Sequence, residues 1–520
     1  MIGLCGAVAL LGLLLVPHFF LPSEDVVILF QYSRNLAQHG TISYVAGGPR
    51  AEGATDFLWM VLVGGAMRLG IPAFLFCQVA NVLSLMGLGV LLLRLARVRA
   101  TAWRVLVVVG AAAMLPQIFA AVLGFAMLPD ALLLVALVCC VLERRVAGAA
   151  LTALVFCLFR PDGVVFAVPL LLWMLLSGRK LGKDAAVVGG LYVLPGVLYF
   201  LWRWHYFGEF FPLPFLVKSD AQRVLGVVVA TSAHESRPYL LFVMMVLAAL
   251  LWPGTLAKEN RRQTLWLTLL LVVVPTAFFW TMRLDQNVAK RFFYYLPVAV
   301  AILLAVNWPA LAGKRRQLLW VTGWAWMLLL LLPWVREYFI FRYSQFVGIA
   351  KIAQDLGRVP QRGRMMTTEA GLLPYLSGWQ AYDAWGLNSA EFAHRLIQPG
   401  DVERLRPDLL ILHPDRPEGC LVGSDWPQAG YMGRTWVHMT RNLVLGASRG
   451  GYELWLISYG SESYRKSMGW RYGEGDRECW FVRKDSPVYG EMVGALRENH
   501  GVEPEEALRL EETHDGLKLK

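Results

Sequence analysis

MIGLCGAVALLGLLLVPHFFLPSEDVVILFQYSRNLAQHG, residues 1–40, places an apolar run directly ahead of two adjacent carboxylates. Ile2 to Leu21 is about 20 residues long, enough to cross a hydrocarbon core of roughly 30 Å. It carries no small-residue cleavage site, so it reads as a retained span and not as a signal peptide. Glu24 and Asp25 then stand where the chain emerges into the headgroup layer, and charge beside hydrocarbon is costly unless it is paired or used. Val26, Val27, Leu29, Phe30 and Leu36 alternate with Gln31, Arg34 and Asn35 at near-helical spacing. The carboxylates therefore either cap an interfacial helix or serve chemistry at the membrane surface. Their company is charged: the same loop holds Arg34, Arg50, Glu52 and Asp56, followed by Trp59.

A composition of 57% hydrophobic and 17% charged residues over 520 positions excludes an ordinary soluble domain. Further apolar runs lie near 74–93, 104–124, 128–142, 148–159, 163–176, 185–204, 239–254, 264–280, 292–310 and 317–335, giving about eleven spans by length. RLARVRATAWR (94–104), ERR (143–145), SGRKLGK (177–183), KENRR (258–262) and GKRR (313–316) carry most of the clustered basic charge. Every second loop is basic, which by the positive-inside rule makes the N-terminus cytoplasmic and turns 22–73, 125–130, 205–238 and 281–291 outward. FLWMVLVGGAMRLG (57–70) is too short to cross and reads as a helix on the outer surface.

After Pro333 the sequence becomes mixed, with frequent Gly and Pro. Residues 1–340 are expected to form the membrane domain and 341–520 a periplasmic or extracellular α/β domain. The whole is thus an α-helical polytopic membrane protein with a C-terminal α/β soluble domain. Residues 345–520 hold 21 Lys and Arg against 24 Asp and Glu, so the net +11 of the chain belongs to its membrane half and reflects topology. No basic soluble patch is left to bind nucleic acid. Five of the seven cysteines sit in apolar runs, none has metal-ligand spacing, and Cys420 and Cys479 in the outer domain are free to pair in an oxidising compartment.

Within that domain, GRMMTTEAG (363–371) reads as a strand entering a turn and RPDLLILHP (406–414) as a short buried strand bounded by prolines. WVHMTRNLVLGASRGGYELWLISYG (436–460) is expected to supply further strands broken by glycines. Trp379, Tyr382 and Trp385 suit either a core or stacking on sugar rings.

Three outer loops add polar chemistry. RPDG, Arg160 to Gly163, separates apolar runs of only about a dozen residues, so it should dip into the outer leaflet, where irregular backbone needs a protein or water cavity. Arg160 and Asp162 are then either cavity residues or a mutual pair holding two short helices. YFGEFFPLPFLVKSD (206–220) is aromatic and ends near Lys218; MRLDQNVAKRFFYYLP (282–297) offers Asp285, Lys290 and Arg291. Outward cations need an anionic partner, either lipid headgroups or a bound phosphate, for which Arg offers a fork and Lys a point charge.

EDVVILFQYSRNLAQHGTISYVAGGPRAEGATDFLW (24–59) resembles the first loop of terminal arabinofuranosyltransferases of the actinobacterial cell wall and their bacterial relatives, membrane glycosyltransferases of the GT-C type. Glu24, Asp25, Phe30, Tyr32, Arg34, Asn35, Leu36, Glu52, Gly53, Thr55, Leu58 and Trp59 occupy the matching places. RPDG, the YFGEFFPLPFLVKS loop, the Arg291–Phe292 step and EAGLLPYLSGWQAYDAWGLN (369–388) extend the likeness over nearly the whole chain. The family pattern has Asp where Glu24 stands. The resemblance implies transfer of a sugar, with D-arabinofuranose the leading candidate, from a polyprenyl monophosphate donor to a glycan or protein acceptor on the outer face of a bacterial cytoplasmic membrane. It implies Asp25 as general base with Glu24 in support. The outer-loop cations Arg291, Lys290, Lys218 and Arg160 would meet the donor phosphate, and Arg34, Glu52, Asp56, Asp162 and Asp285 the substrates. No metal site is expected; a divalent cation shared by the acidic pair is the only cofactor that the loop would suit. The competing reading is a transporter or a lipid-linked glycan-binding scaffold, against which stand the lack of repeated halves and the large asymmetric outer domain.

Overall fold

In lipid an apolar segment must satisfy its own backbone polar groups, and a helix does so without help. In the computed structural model five helices among the described residues are long and apolar enough to cross a membrane: Ala73–Leu95, Leu181–Phe207, Val228–Leu251, Lys258–Trp280 and Lys290–Ala310. The described residues are 22–98, 118–178, 180–218, 225–282, 284, 287–311, 321–323, 325–326, 328–330, 332, 349–412, 420, 433–458, 477–498 and 501–502. The expected first span 2–21, the basic loop 313–316 and Asp285 lie outside them, as do much of the spans 104–124 and 317–335 and most of the acidic tail. The protein is a helical membrane protein with a small sheet, and its chain divides into two compact units.

The membrane unit comprises 1–23, 55–208 and 223–338. Its helices Met127–Leu142 and Val146–Phe159 pack closely because Ala149, Ala150 and Ala153 present no bulk, while Leu134, Leu137 and Phe156 fill the core. Val146–Phe159 and Val164–Leu176 are 14 and 13 residues long, roughly 20 Å each at 1.5 Å per residue. Neither reaches across a 30 Å core, and the RPDG break falls between them, as the sequence predicts. Pro195 and Pro275 cannot donate to the preceding turn, and each follows a π-helical turn, Gly189–Val193 and Leu269–Val273, that accommodates the missing bond. Only 6% of the most apolar stretch of Leu181–Phe207 is buried, against 78% for Lys290–Ala310. The first therefore turns its side chains to lipid and the second forms the centre of the bundle.

The α/β unit comprises 24–54, 209–222 and 339–520, so it takes in two segments from the first 340 residues. Its sheet is built from β1 (Arg364–Thr367), β2 (Gln380–Asp383), β3 (Leu409–Leu412), β4 (Tyr452–Ser458), β5 (Arg477–Arg483) and β6 (Gly501–Val502). The order is β2-β1-β3-β5-β4-β6, with β1 parallel to β2 and β3 and the remaining pairs antiparallel. Alternation sorts Met366, Leu410, Leu412, Cys479 and Phe481 onto one face. That face packs with Trp436, Met439, Leu443, Val444 and Ala447.

Those five residues belong to a helix, Gly433–Arg449, where the sequence reading expected strands. Trp436, Met439, Leu443 and Ala447 follow one another at steps of three and four, the helical period, and only the segment after Gly451, β4, is a strand. Cys420 and Cys479 form a disulfide, as an oxidising compartment permits. Trp379 is buried, with its indole N–H donated to the Leu356 carbonyl, and Trp385 meets Trp436 edge to face. Both pack as core residues, not as exposed sugar platforms.

Candidate functional site

In the α/β unit, the first-loop helix Glu24–His39 buries Val26, Val27, Leu29 and Phe30 and packs on the helix Leu372–Ser377, with Phe30 against Tyr375. Its apolar face is spent on protein, not on lipid as an interfacial helix would spend it. The polar residues of the motif lock the loop in place. Asn35 Nδ2 donates to the carbonyls of Ser43 (2.8 Å) and Tyr44 (3.0 Å), and the Tyr44 hydroxyl donates to that of Ala370 (2.6 Å). Arg34 lies over the Tyr375 ring at 4.5 Å and donates to the Tyr375 carbonyl at 3.0 Å. The Tyr32 hydroxyl accepts from the Gly53 N–H (3.0 Å) and donates to Asn388 Oδ1 (3.1 Å). Asn388 Nδ2 in turn donates to Asp383 Oδ2 at 2.8 Å. Gly53 is required here, because a Cβ would sit 2.0 Å from Asn388 Oδ1.

Both carboxylate oxygens of Glu24 are engaged. They accept the backbone N–H groups of Gly371 and of Leu372, the latter at 2.8 Å. A Cβ on Gly371 would lie 2.2 Å from the Glu24 carbonyl, so the approach depends on glycine. Burial pushes the Glu24 carboxyl up to about 7, against the two N–H donors, which act the other way. Asp25 stands beside it in the first helical turn, half-buried. Glu52 is buried within electrostatic reach of Tyr32, and Lys218 ends the short helix Leu213–Lys218.

The membrane unit gathers a second set. Arg160 makes a bidentate pair with Asp162, Nε to Oδ1 at 2.9 Å and Nη2 to Oδ2 at 2.8 Å, which is the mutual pair anticipated at the RPDG break. The same Arg160 Nε is 3.6 Å from Asp130, a fully buried carboxylate in the helix Met127–Leu142. Asp56 interacts electrostatically with Arg160, Asp162 and Arg291. The Arg291 guanidinium is buried 4.2 Å from the Phe125 ring, and that of Arg160 lies 5.7 Å from the ring of buried Tyr294. Asn81 braces the turn that carries Phe125, donating to the carbonyls of Ala121 (3.3 Å) and Phe125 (3.0 Å). Lys290 adopts φ +53°, an uncommon left-handed conformation for a side-chain-bearing residue, and pairs with Glu235 at 2.9 Å. Asn287 bonds the same carboxylate at 2.7 Å.

Of the residues singled out in the sequence, the structure thus brings Glu24, Asp25, Arg34, Glu52 and Lys218 into the α/β unit. Asp56, Arg160, Asp162, Lys290 and Arg291 belong to the membrane unit. Asp130, Glu235, Asn287 and Asn81 were not singled out. A lone Asp inside MLPDALLLV and a Glu within a membrane-length helix were the available signals. Among the described residues, no three of His, Cys, Asp and Glu are grouped so as to hold a metal ion.

A family model described as a domain of unknown function (DUF8728) matches residues 338–459, the part of the α/β unit that holds β1 to β4 and the Gly371–Leu372 partners of Glu24. No curated protein and no solved structure matches the chain.

Proposed function

We propose that the protein is a GT-C-type membrane glycosyltransferase that moves a sugar from a polyprenyl monophosphate to a glycan or protein acceptor. D-Arabinofuranose is the leading donor sugar. In this reading about eleven spans, by the length criterion, cross a bacterial cytoplasmic membrane with the N-terminus inside. The α/β unit lies on the outer face and contributes to acceptor binding.

The observation that carries the reading is the state of the acidic pair. Glu24 spends both oxygens on backbone N–H groups of the Glu369–Leu372 turn, which fixes the start of the helix. The base role then falls to Asp25, the neighbouring carboxylate on the same first turn. Asp25 takes the acceptor hydroxyl proton as the oxygen bonds to the anomeric carbon. The bond from that carbon to the phosphate oxygen breaks, and polyprenyl phosphate leaves with the electron pair. General-base help of this kind typically gives about 10²–10⁴-fold in rate. Arg291 serves the donor phosphate, whereas Lys290 is paired with Glu235 and Arg160, committed to Asp162, supports the break between two short helices.

Purified protein is tested with radiolabelled sugars on defined polyprenyl monophosphates. Asp25→Asn should abolish most turnover while leaving donor binding intact, and Glu24→Gln should hurt less. No transfer from any donor refutes the reading. A reversed order of the two variants moves the base to Glu24.

A further inference from the structure

Among the described residues of the α/β unit, every exposed large hydrophobic side chain is one of three: Phe210, 47% exposed, and Phe211 and Phe215, each 44% exposed. They form one patch, with Phe210 edge-on to Phe211 at 4.8 Å and Phe211 stacked on Phe215 at 4.7 Å. The patch is held from behind. Leu213 between them is fully buried, their short helix packs on Ala390–His394, and Glu209 meets His394 at 2.8 Å. The phenylalanines are therefore presented outward by an anchored element and do not hang on a loose loop.

What covers them follows from the chain. Leu181–Phe207 exposes Val193, Leu194, Val197, Leu198, Leu201 and Trp202 along its length, as a lipid-facing helix does, and it ends at Gly208 in the left-handed conformation. Phe210 is three residues beyond Phe207, so the backbone cannot carry it more than roughly 10 Å from that helix end. That distance is comparable to the depth of the headgroup and acyl boundary, where aromatic side chains partition. Exposed apolar area confined to one spot beside a span is the mark of a surface that lipid covers.

We propose that Phe210, Phe211 and Phe215 form a bilayer-docking surface that seats the α/β unit in the interfacial layer of phospholipid. This is independent of the glycosyl-transfer reading, since it concerns bulk lipid and not the donor. The test places a p-benzoylphenylalanine photocrosslinker at Phe211, an aromatic exchange that preserves the patch. The full chain is studied in nanodiscs of phosphatidylethanolamine and phosphatidylglycerol, with Glu491, exposed on the helix Tyr489–Glu498, as the control site. Irradiation should give phospholipid adducts at Phe211 and none at Glu491. Adducts only to protein, whether another segment of the chain or a second copy, overturn the proposal, as do equal lipid adducts at both sites. Loss of the phospholipid adduct on adding decaprenyl monophosphate would overturn it too, by assigning the patch to a polyprenyl tail.

Discussion

Glu24 offers a test in which the sign of the effect is as informative as its size. Two influences oppose each other: burial disfavours the carboxylate, and the Gly371 and Leu372 N–H groups favour it. Burial wins, raising the carboxyl from its ordinary 4.5 to about 7. A folded-state value above the unfolded one means that the stabilisation is complete below about pH 4.5 and is lost as pH rises through about 7. The shift corresponds to on the order of 3 kcal/mol. Hydrogen exchange of peptides covering residues 369–376, measured in nanodiscs from pH 5 to 8 and corrected for intrinsic rates, should show protection falling on the order of 50-fold. Glu24→Gln resembles the protonated acid and cannot ionise, so its protection should stay level over the same range. Should the N–H bonds outweigh burial, the wild type would hold its protection throughout and the glutamine variant would lose about 1.5–3 kcal/mol at every pH. That result, or an equal slope in both proteins, would refute the reasoning.

Arg291→Ala should weaken binding of a polyprenyl monophosphate by about 1.5–3 kcal/mol in a titration, as expected for a charge-assisted bond, and unchanged affinity would remove Arg291 from the donor site. Asp162→Asn, which breaks the bidentate pair on buried Arg160, should cost about 3 kcal/mol in thermal unfolding. Asp130→Asn, whose carboxylate lies at 3.6 Å, should cost only about 1 kcal/mol. Replacing Cys420 and Cys479 by serine opens a loop with a sequence separation of 59 and should destabilise the α/β unit by about 4 kcal/mol; the purified wild type should show the bridged peptide by mass spectrometry.

The lengths of the apolar runs were enough to establish a helical membrane protein, because the hydrophobic requirement of a bilayer acts on each segment separately and is written locally. The same locality made the RPDG break legible, and also β1 and β3, whose short apolar runs are bounded by turn residues. Gly433–Arg449 was legible in principle from its spacing, but the glycines that follow drew the reading toward strands. Tertiary structure alone decided where the first loop belongs. Glu24 meets Gly371 and Leu372 almost 350 residues away. Its partners there are backbone N–H groups, which every residue but proline possesses and which leave no mark in a sequence. The pairings of Lys290 with Glu235 and of Arg160 with Asp130 were hidden for a related reason. A charge in an apolar stretch announces that it needs a partner, but which partner it finds depends on how the helices pack.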